Sequence, residues 1–299
     1  MPRFHELEVT GLRKTIRDAV VVTLKPVNGA ASEFDFTQGQ YLTFRRDFDG
    51  EEIRRSYSIC AGKGEGILQV GIKRVDGGAF STWANEELAI GARIEAMPPM
   101  GSFTHELVPE AARSYVLVAG GSGITPIYSI AATVLTVEPE SRVTLLQVDS
   151  TSSSIMLLDD VEALRNQHLD RFRIWRQLTR EPAGLPVLGG RPDEDSVTEC
   201  LRRGMLDTEP DHVFLCGPEP LVELVRKVYA MHGLETFAQT DLDRRVHRNQ
   251  TTNALGKMSF GILQTFFNRL HAQGKLDRMP DLETFYRRFE VEEGKYHQL

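Results

Sequence analysis

The chain has 299 residues, 41% hydrophobic and 26% charged, with a net charge of −7. That profile suits two packed domains and excludes global disorder. No run of about 18 apolar residues occurs, which excludes a membrane-spanning helix, and the acidic balance argues against nucleic acid as a partner. The three cysteines, Cys60, Cys200 and Cys216, match no zinc or haem spacing, and an odd number argues against a disulfide framework. No metal site is expected. Met1-Pro2-Arg3-Phe4-His5 leads into strand-like sequence without an apolar signal core, so a cytoplasmic protein is expected.

The first hundred residues read as β structure. Apolar runs such as Ala19-Val20-Val21-Val22 and Ile67-Leu68-Gln69-Val70 are punctuated by Asp49-Gly50, Gly77-Gly78 and Pro98-Pro99, as in a barrel or sandwich. One helix is expected near residues 81–88. After Pro109 the pattern changes. Tyr115-Val116-Leu117-Val118-Ala119 suits a parallel strand buried on both faces. Strands are then expected at 143–148, 171–177 and 212–216, and helices near 127–137, 155–167, 196–203 and 219–231, which together make a parallel α/β sheet. The boundary falls near 105–113. From Thr240 to Ala254 the sequence reads as a linker. Met258, Ile262, Leu263, Phe266, Phe267 and Leu270 then recur at helical spacing, with a second short helix over 281–289. Residues 240–299 carry ten Lys/Arg against eight Asp/Glu, so the first 239 hold a net −9.

Five stretches could carry chemistry. On a strand, Arg55 and Tyr57 share one face while Ser56 and Ser58 share the other. This is a plate, a cation and small donors for a flavin, or an ordinary edge strand. Gly78-Ala79-Phe80-Ser81 opens a short helix, offering N–H groups to an anion or only a helix capped by Ser81. Gly120-Gly121-Ser122-Gly123-Ile124-Thr125-Pro126 follows a buried strand and opens a helix, the context of a nucleotide-phosphate loop; the alternative is a plain strand–helix turn. Cys216-Gly217-Pro218 ends another strand, where the thiol could be a core hydrophobe or the Gly-Pro could admit something flat. Thr151–Ser154 with Thr179 and Arg180 could hold a ribose phosphate, or be a helix cap beside a surface arginine.

Taken in order, Arg-x-Tyr-Ser, Gly-Gly-Ser-Gly-Ile-Thr-Pro and Cys-Gly-Pro make residues 5–240 similar to the ferredoxin–NADP reductase family. The likeness is particularly to reductase modules of multicomponent oxygenases, such as those of the phenylacetyl-CoA epoxidase type. The resemblance implies a six-stranded antiparallel FAD-binding barrel (1–108) and a parallel-sheet NAD(P)-binding domain (109–240). A helical extension (241–299) lies beyond the resemblance. It implies Tyr57 stacked on the isoalloxazine, Arg55 at the FAD pyrophosphate, Ser58 near flavin N5, and Ser56, Ile72, Lys73, Gly78, Ala79, Phe80 and Ser81 around the flavin. Gly121, Gly123, Thr125 and Pro126 would line the dinucleotide pyrophosphate. Cys216, Gly217 and Pro218 would border the nicotinamide, with Glu235 and Phe237 at the family's Glu-x-Phe ending; Ser58, Cys216 and Glu235 are the implied catalytic residues. Ser153, Thr179 and Arg180 resemble positions that favour the 2′-phosphate of NADPH, whereas Asp149 introduces an acid that disfavours it. The implied activity is hydride transfer from NADPH or NADH to FAD, then single electrons to a separate ferredoxin, flavodoxin or oxygenase component. A redox-responsive regulator or assembly subunit acting through the extension is the alternative. No cysteine follows Cys216, so residues 217–299 cannot supply a four-cysteine iron–sulfur site. The extension reads as a cap packing Phe266 and Phe267 against the two domains or a second subunit, or as a docking site for an acidic electron acceptor through Arg244, Arg245 and Arg248 or through Arg287 and Arg288.

Overall fold

The computed structural model describes residues 3–27, 29–231, 233 and 236–240, all within a single compact unit. The linker, both helices expected beyond it and Glu235 lie outside the described residues.

Six strands form the first sheet: β1 (His5–Ile16), β2 (Ala19–Pro26), β3 (Tyr41–Phe48), β4 (Glu51–Ser58), β5 (Leu68–Lys73) and β6 (Arg93–Ala96). All pair antiparallel in the order β4-β3-β6-β1-β2-β5. The two edge strands then meet. Ile59 bridges Val70, and the Cys60 N–H donates to the Gln69 carbonyl at 2.9 Å, closing the sheet into a barrel and removing its edges. Irregularities in β1 at Val9–Gly11 and Lys14–Ile16 supply the bend that closure needs. Alternate residues such as Leu7, Val9, Val20, Val22, Leu42 and Phe44 fill the interior. The α-helix described in this half, α1 (Ala79–Glu86), buries Phe80 and Trp83 in the same core, as the 3-10 turn Ala30–Phe34 does Phe34. Gly78, not Ser81, takes the N-cap position. Ser81 sits one turn in, its hydroxyl accepting from the Val75 N–H and donating to the Gly78 carbonyl.

The second sheet is parallel: β7 (Ser114–Gly120), β8 (Arg142–Asp149), β9 (Phe172–Leu178), β10 (His212–Gly217) and β11 (Phe237–Thr240), in the order β11-β10-β7-β8-β9. The helices are α2 (Ile124–Val137), α3 (Leu158–Gln167), α4 (Glu194–Arg202) and α5 (Glu219–Met231). The helix expected over 155–167 is divided. Ser152–Ser154 form a 3-10 turn closed by Thr151, and Leu157 adopts a left-handed φ of 56° before α3 begins. That strained conformation is held by burial of the Leu157 side chain. Helices α4 and α5 pack on one face of the sheet. The other face shares a core with the barrel, where Ala19, Val21, Cys60 and Phe103 join α2, β7 and β8. Ser129 Oγ on α2 donates to the Ala61 carbonyl at 2.7 Å, and the Lys63 N–H donates to Thr133 Oγ1 at 2.9 Å.

Because the chain crosses from β9 to the far side of β7, β7 and β10 are neighbours whose following segments diverge. A crevice at the carboxyl ends is the usual result of such a switch. Here the two loops pack backbone to backbone. A Cβ on Gly217 would meet Gly120 at 2.9 Å, and one on Gly123 would overlap the Cys216 carbonyl. At the opposite end, Glu138 collects the Val108 N–H, Ser141 Oγ, Tyr115 Oη and the Arg113 guanidinium. Burial raises its pKa, but these donors outweigh it and hold the carboxyl below its ordinary value. His105 Nε2 lies 2.8 Å from Tyr115 Oη, and its ring centroid is 4.2 Å from that of His212.

Two outcomes are expected. Gly123→Ala should destabilise the protein by about 1–3 kcal/mol, read as a lowered midpoint in chemical denaturation, because neither backbone can recede. Burial first, then the neighbouring His212, depress His105 from 6.5 to about 4. A depressed histidine leaves the unfolded chain binding more protons between those values, so stability should fall from pH 6.5 towards 4 and lose this dependence below it. The loss should be smaller in His105→Gln, measured as denaturation midpoints across that range.

Candidate FAD and nicotinamide-dinucleotide site

On β4, Tyr57 registers with Leu42 and Arg55 with Phe44, so both lie on the barrel's inner face, each half-buried. The Tyr57 ring centroid is 5.7 Å from Phe80 and 6.2 Å from Phe44. Arg55 Nη1 donates to the Arg54 carbonyl at 2.7 Å. On the other face Ser56 Oγ meets Thr43 Oγ1 at 2.8 Å, and Ser58 is buried at the end of the strand. Phe80 and Ile72 have their side chains in the barrel core, so residue 80 can offer a ligand only its backbone. Gly77, with a φ of 72° and open space where a Cβ would stand, turns the chain into Gly78 and the start of α1. The first N–H groups of a helix lack intrahelical acceptors and favour an anion. An aromatic ring, an arginine and a helix N-terminus on one barrel fit the ring, charge and phosphates of a flavin dinucleotide.

A cavity of about 290 Å³ opens at the carboxyl edge of the parallel sheet. It is lined by Gly120 and Gly121 at the end of β7, Val148, Asp149, Ser150 and Ser154 at and after the end of β8, Thr179, Arg191 and Pro192 after β9, and Pro218, Pro220 and Leu221 after β10. Lys73, at the end of barrel strand β5, completes the wall. Gly121 has a φ of 52° with nothing near its Cβ position, so its backbone is open to a ligand in a conformation suited to glycine. The adjacent Gly123 is packed under Cys216. Thr125 is buried, its Oγ1 donating to the Ser122 carbonyl at 3.0 Å, and its methyl faces Gly71 of the barrel. Thr125 therefore joins the glycine loop to the barrel. Asp149 is buried, and its Oδ2 has no hydrogen-bond partner among the described residues. Burial pushes its carboxyl up to about 7, against the pull of Lys73 and Arg176.

Gly121, Lys73, Thr179 and Pro218 thus meet around one cavity. Pro126 is buried in the first turn of α2, and Cys216 is fully buried in the core shared with the barrel. Ser153 does not line the cavity, although its neighbour Ser154, in the same hydroxyl stretch, does. Arg180 is exposed beyond the lining, its backbone N–H bonded to the Ser150 carbonyl at 2.9 Å. Phe237 does not reach this edge either. It pairs in register with Phe214 at the beginning of β11 and stacks on that ring at 4.7 Å, while the carboxyl end of the strand is Thr240. Sequence reading missed Arg191. Gly189-Gly190-Arg191-Pro192 was the available signal: Gly189 bridges Leu178, and Gln177 holds the Gly190 carbonyl at 3.2 Å. The loop therefore folds back along β9 and delivers its cation.

Comparison with known proteins agrees with this geometry. Residues 8–105 match the oxidoreductase FAD-binding domain and residues 117–227 the oxidoreductase NAD-binding domain. The chain is 34% identical over 224 residues to a subunit of the 1,2-phenylacetyl-CoA epoxidase of Escherichia coli (strain K12), covering 75% of this chain and 63% of that protein. It is 31% identical over 199 residues to an NADH-cytochrome b5 reductase 1 of Lodderomyces elongisporus, covering 66% of this chain and 64% of the relative. The chain thus spans just under two thirds of these relatives. The crystal structure of the Amycolatopsis cytochrome P450 reductase GcoB superposes with a TM-score of 0.66 at 27% identity, over 80% of this chain and 71% of that one. With an FAD-binding domain followed by a nicotinamide-binding one, the chain belongs to the ferredoxin–NADP reductase family of oxidoreductases.

Proposed function

We propose that this protein takes electrons from NAD(P)H and delivers them to a separate redox protein. Residues 1–108 would act as the flavin barrel and 109–240 as the nicotinamide domain. The observation that carries the reading is the cavity at the β7–β10 switch, whose wall combines the glycine loop with Lys73 from the barrel. A nicotinamide coenzyme held there lies between the two halves that must exchange electrons. Bound FAD would supply the chemistry, accepting a hydride and releasing electrons one at a time.

The protein's own contribution is orientation and charge. Tyr57, leaning on Phe44 and Phe80, would present a flat face to the flavin ring. Arg55 and the first N–H groups of α1 would neutralise its phosphates, with Ser58 beside the ring. The Gly120-Gly121 backbone at the start of α2 would receive the pyrophosphate of the coenzyme. Thr125, wedged against Gly71, would fix the distance between the two rings. Cys216 and Gly217 would set the floor on which the nicotinamide lies. Thr179, Ser154 and Arg191, with Arg180 at the rim, would surround a 2′-phosphate, which favours NADPH over NADH. The acceptor is an iron–sulfur, flavin or oxygenase component supplied by another chain.

Purified protein should be yellow, and anaerobic NADPH or NADH should bleach it; a colourless protein that FAD cannot reconstitute would overturn the reading. Tyr57→Ala should lower the FAD retained per protein, read from the visible-to-280 nm absorbance ratio. Arg191→Ala should lower kcat/KM for NADPH by roughly 10- to 100-fold, the worth of a charge-assisted hydrogen bond. The value for NADH should change less than about threefold, and an equal loss for both coenzymes would remove Arg191 from the 2′-phosphate site.

A further inference from the structure

Among the residues lining the cavity there is one acid, and a carboxylate is poorly suited to a site built for phosphates. Asp149 ends β8, is 5% exposed, and leaves Oδ2 buried without a hydrogen-bond partner among the described residues. It shares the cavity wall with Gly120 and Gly121. An ionised carboxylate buried without donors is costly, and a pyrophosphate brought beside it would add repulsion in a medium of low dielectric. A carboxylic acid in the same place has neither defect, because it carries a hydrogen of its own to donate.

The charged groups around Asp149 come from several elements. Lys73 faces it from β5 and Arg176 from β9, and both favour ionisation. Each is partly engaged elsewhere: Lys73 Nζ is 4.0 Å from Asp18 Oδ2, and Arg176 Nη1 is 2.5 Å from Glu162 Oε1. Arg191 lines the same cavity. On the same face of β8, Gln147 directs its amide to the Met156 carbonyl at 3.4 Å and leaves Oε1 without a partner among the described residues. The Thr179 N–H donates to the Asp149 main-chain carbonyl, but nothing described there donates to its buried carboxyl Oδ2. Burial therefore prevails over the two cations, and the group titrates near neutrality, at about 7.

We propose that Asp149 binds the nicotinamide dinucleotide as the neutral acid, its carboxyl O–H donating to a phosphate or ribose oxygen of the ligand. Where Asp149 is ionised in the free protein, coenzyme binding then takes one proton from solvent, which rests on the oxygen of the carboxylate; no other bond forms or breaks. This inference depends on the reading that the cavity holds the dinucleotide. It gives Asp149 a role in binding that differs from rejecting a 2′-phosphate, since the proton linkage applies to NADH and NADPH alike.

The test uses the FAD-loaded protein and NADH, because the 2′-phosphate of NADPH itself titrates at about 6. The dissociation constant is taken from the saturation of the anaerobic flavin-bleaching rate at pH values from about 5.5 to 8.5. In the wild type it should be level below the break and rise about tenfold per pH unit above it. Asp149→Asn, which keeps the shape and cannot ionise, should bind with no such slope. Lys73→Met removes a cation that favours the carboxylate and should move the break to higher pH, a shift that a purely structural role for Asp149 would not produce. Saturable binding with a level wild-type profile, or a slope that survives in Asp149→Asn, overturns the proposal while leaving the cavity as the coenzyme site. Should Asp149→Asn fail to retain FAD, the wild-type profile and the Lys73→Met shift decide between the same two results. Failure of NADH to saturate bleaching at any pH overturns the dinucleotide reading itself, and this proposal with it.

Discussion

The contact between the loops that follow β7 and β10 is the constraint on which the cavity depends. Gly120 and Gly217 face each other with no room for a Cβ on Gly217, and Gly123 lies directly beneath the Cys216 carbonyl. Backbone contact of this kind is available only to glycine. It draws the start of α2 down onto the sheet, which sets the direction in which the helix N-terminus presents its N–H groups. The glycines of the loop therefore divide the work. Gly123 serves packing, Gly120 both packs against Gly217 and lines the cavity, and Gly121, with its left-handed backbone and open surroundings, faces the cavity.

The same placement of α2 couples the two sheets. Its first turn sets the Thr125 methyl against Gly71 on β5, and one and two turns further on Ser129 and Thr133 bond to Ala61 and Lys63. One helix thus both opens from the glycine loop of the nicotinamide half and forms the surface on which the barrel rests. The distance between two redox rings decides whether electrons pass, so a rigid shared element is an effective way to fix it. At the far end of the sheet, Glu138 gathers donors from the 105–115 segment and from Ser141. That tie anchors the connection between barrel and sheet without using residues that the cavity needs.

Electrostatics follow from the same geometry. The cavity wall holds two cations, Lys73 from barrel strand β5 and Arg191 from the loop that follows β9, and one acid, Asp149, at the end of β8. Lys73 belongs to the barrel, so the charge seen by a ligand in the nicotinamide half depends on how the halves are held together. Asp149 sits on the face of β8 turned towards that junction, which explains why its burial is deep enough to oppose two positive neighbours.

Much of this was legible in the sequence, and for local reasons. Alternation over the first hundred residues, continuous apolar runs such as Tyr115–Ala119, and glycines after two of those runs specify an antiparallel barrel or sandwich followed by a parallel sheet; the Ile59–Val70 bridge decides for the barrel. The alternation and the runs are properties of hydrogen bonding and burial that act over a few residues. Gly121, Thr179 and Pro218 stood out for a local reason, since each lies just after a strand, whereas Lys73, expected around the flavin, reaches the cavity wall only through the fold. Other assignments needed the fold. Leu157 breaks a helix that periodicity alone would run through, since its side chain is captured by the core. Ser81 yields the cap to Gly78 because a hydroxyl was required to close the preceding turn. Arg191 reaches the cavity only because its loop folds back along β9. Phe237, near a family-like ending, pairs with Phe214 at the wrong end of the strand to touch the site. The sequence by itself determined which segments become strands and where phosphate-binding turns can form. Only the tertiary structure decided which of those turns share a cavity and how deeply Asp149 is buried, because both depend on contacts between residues far apart in the chain.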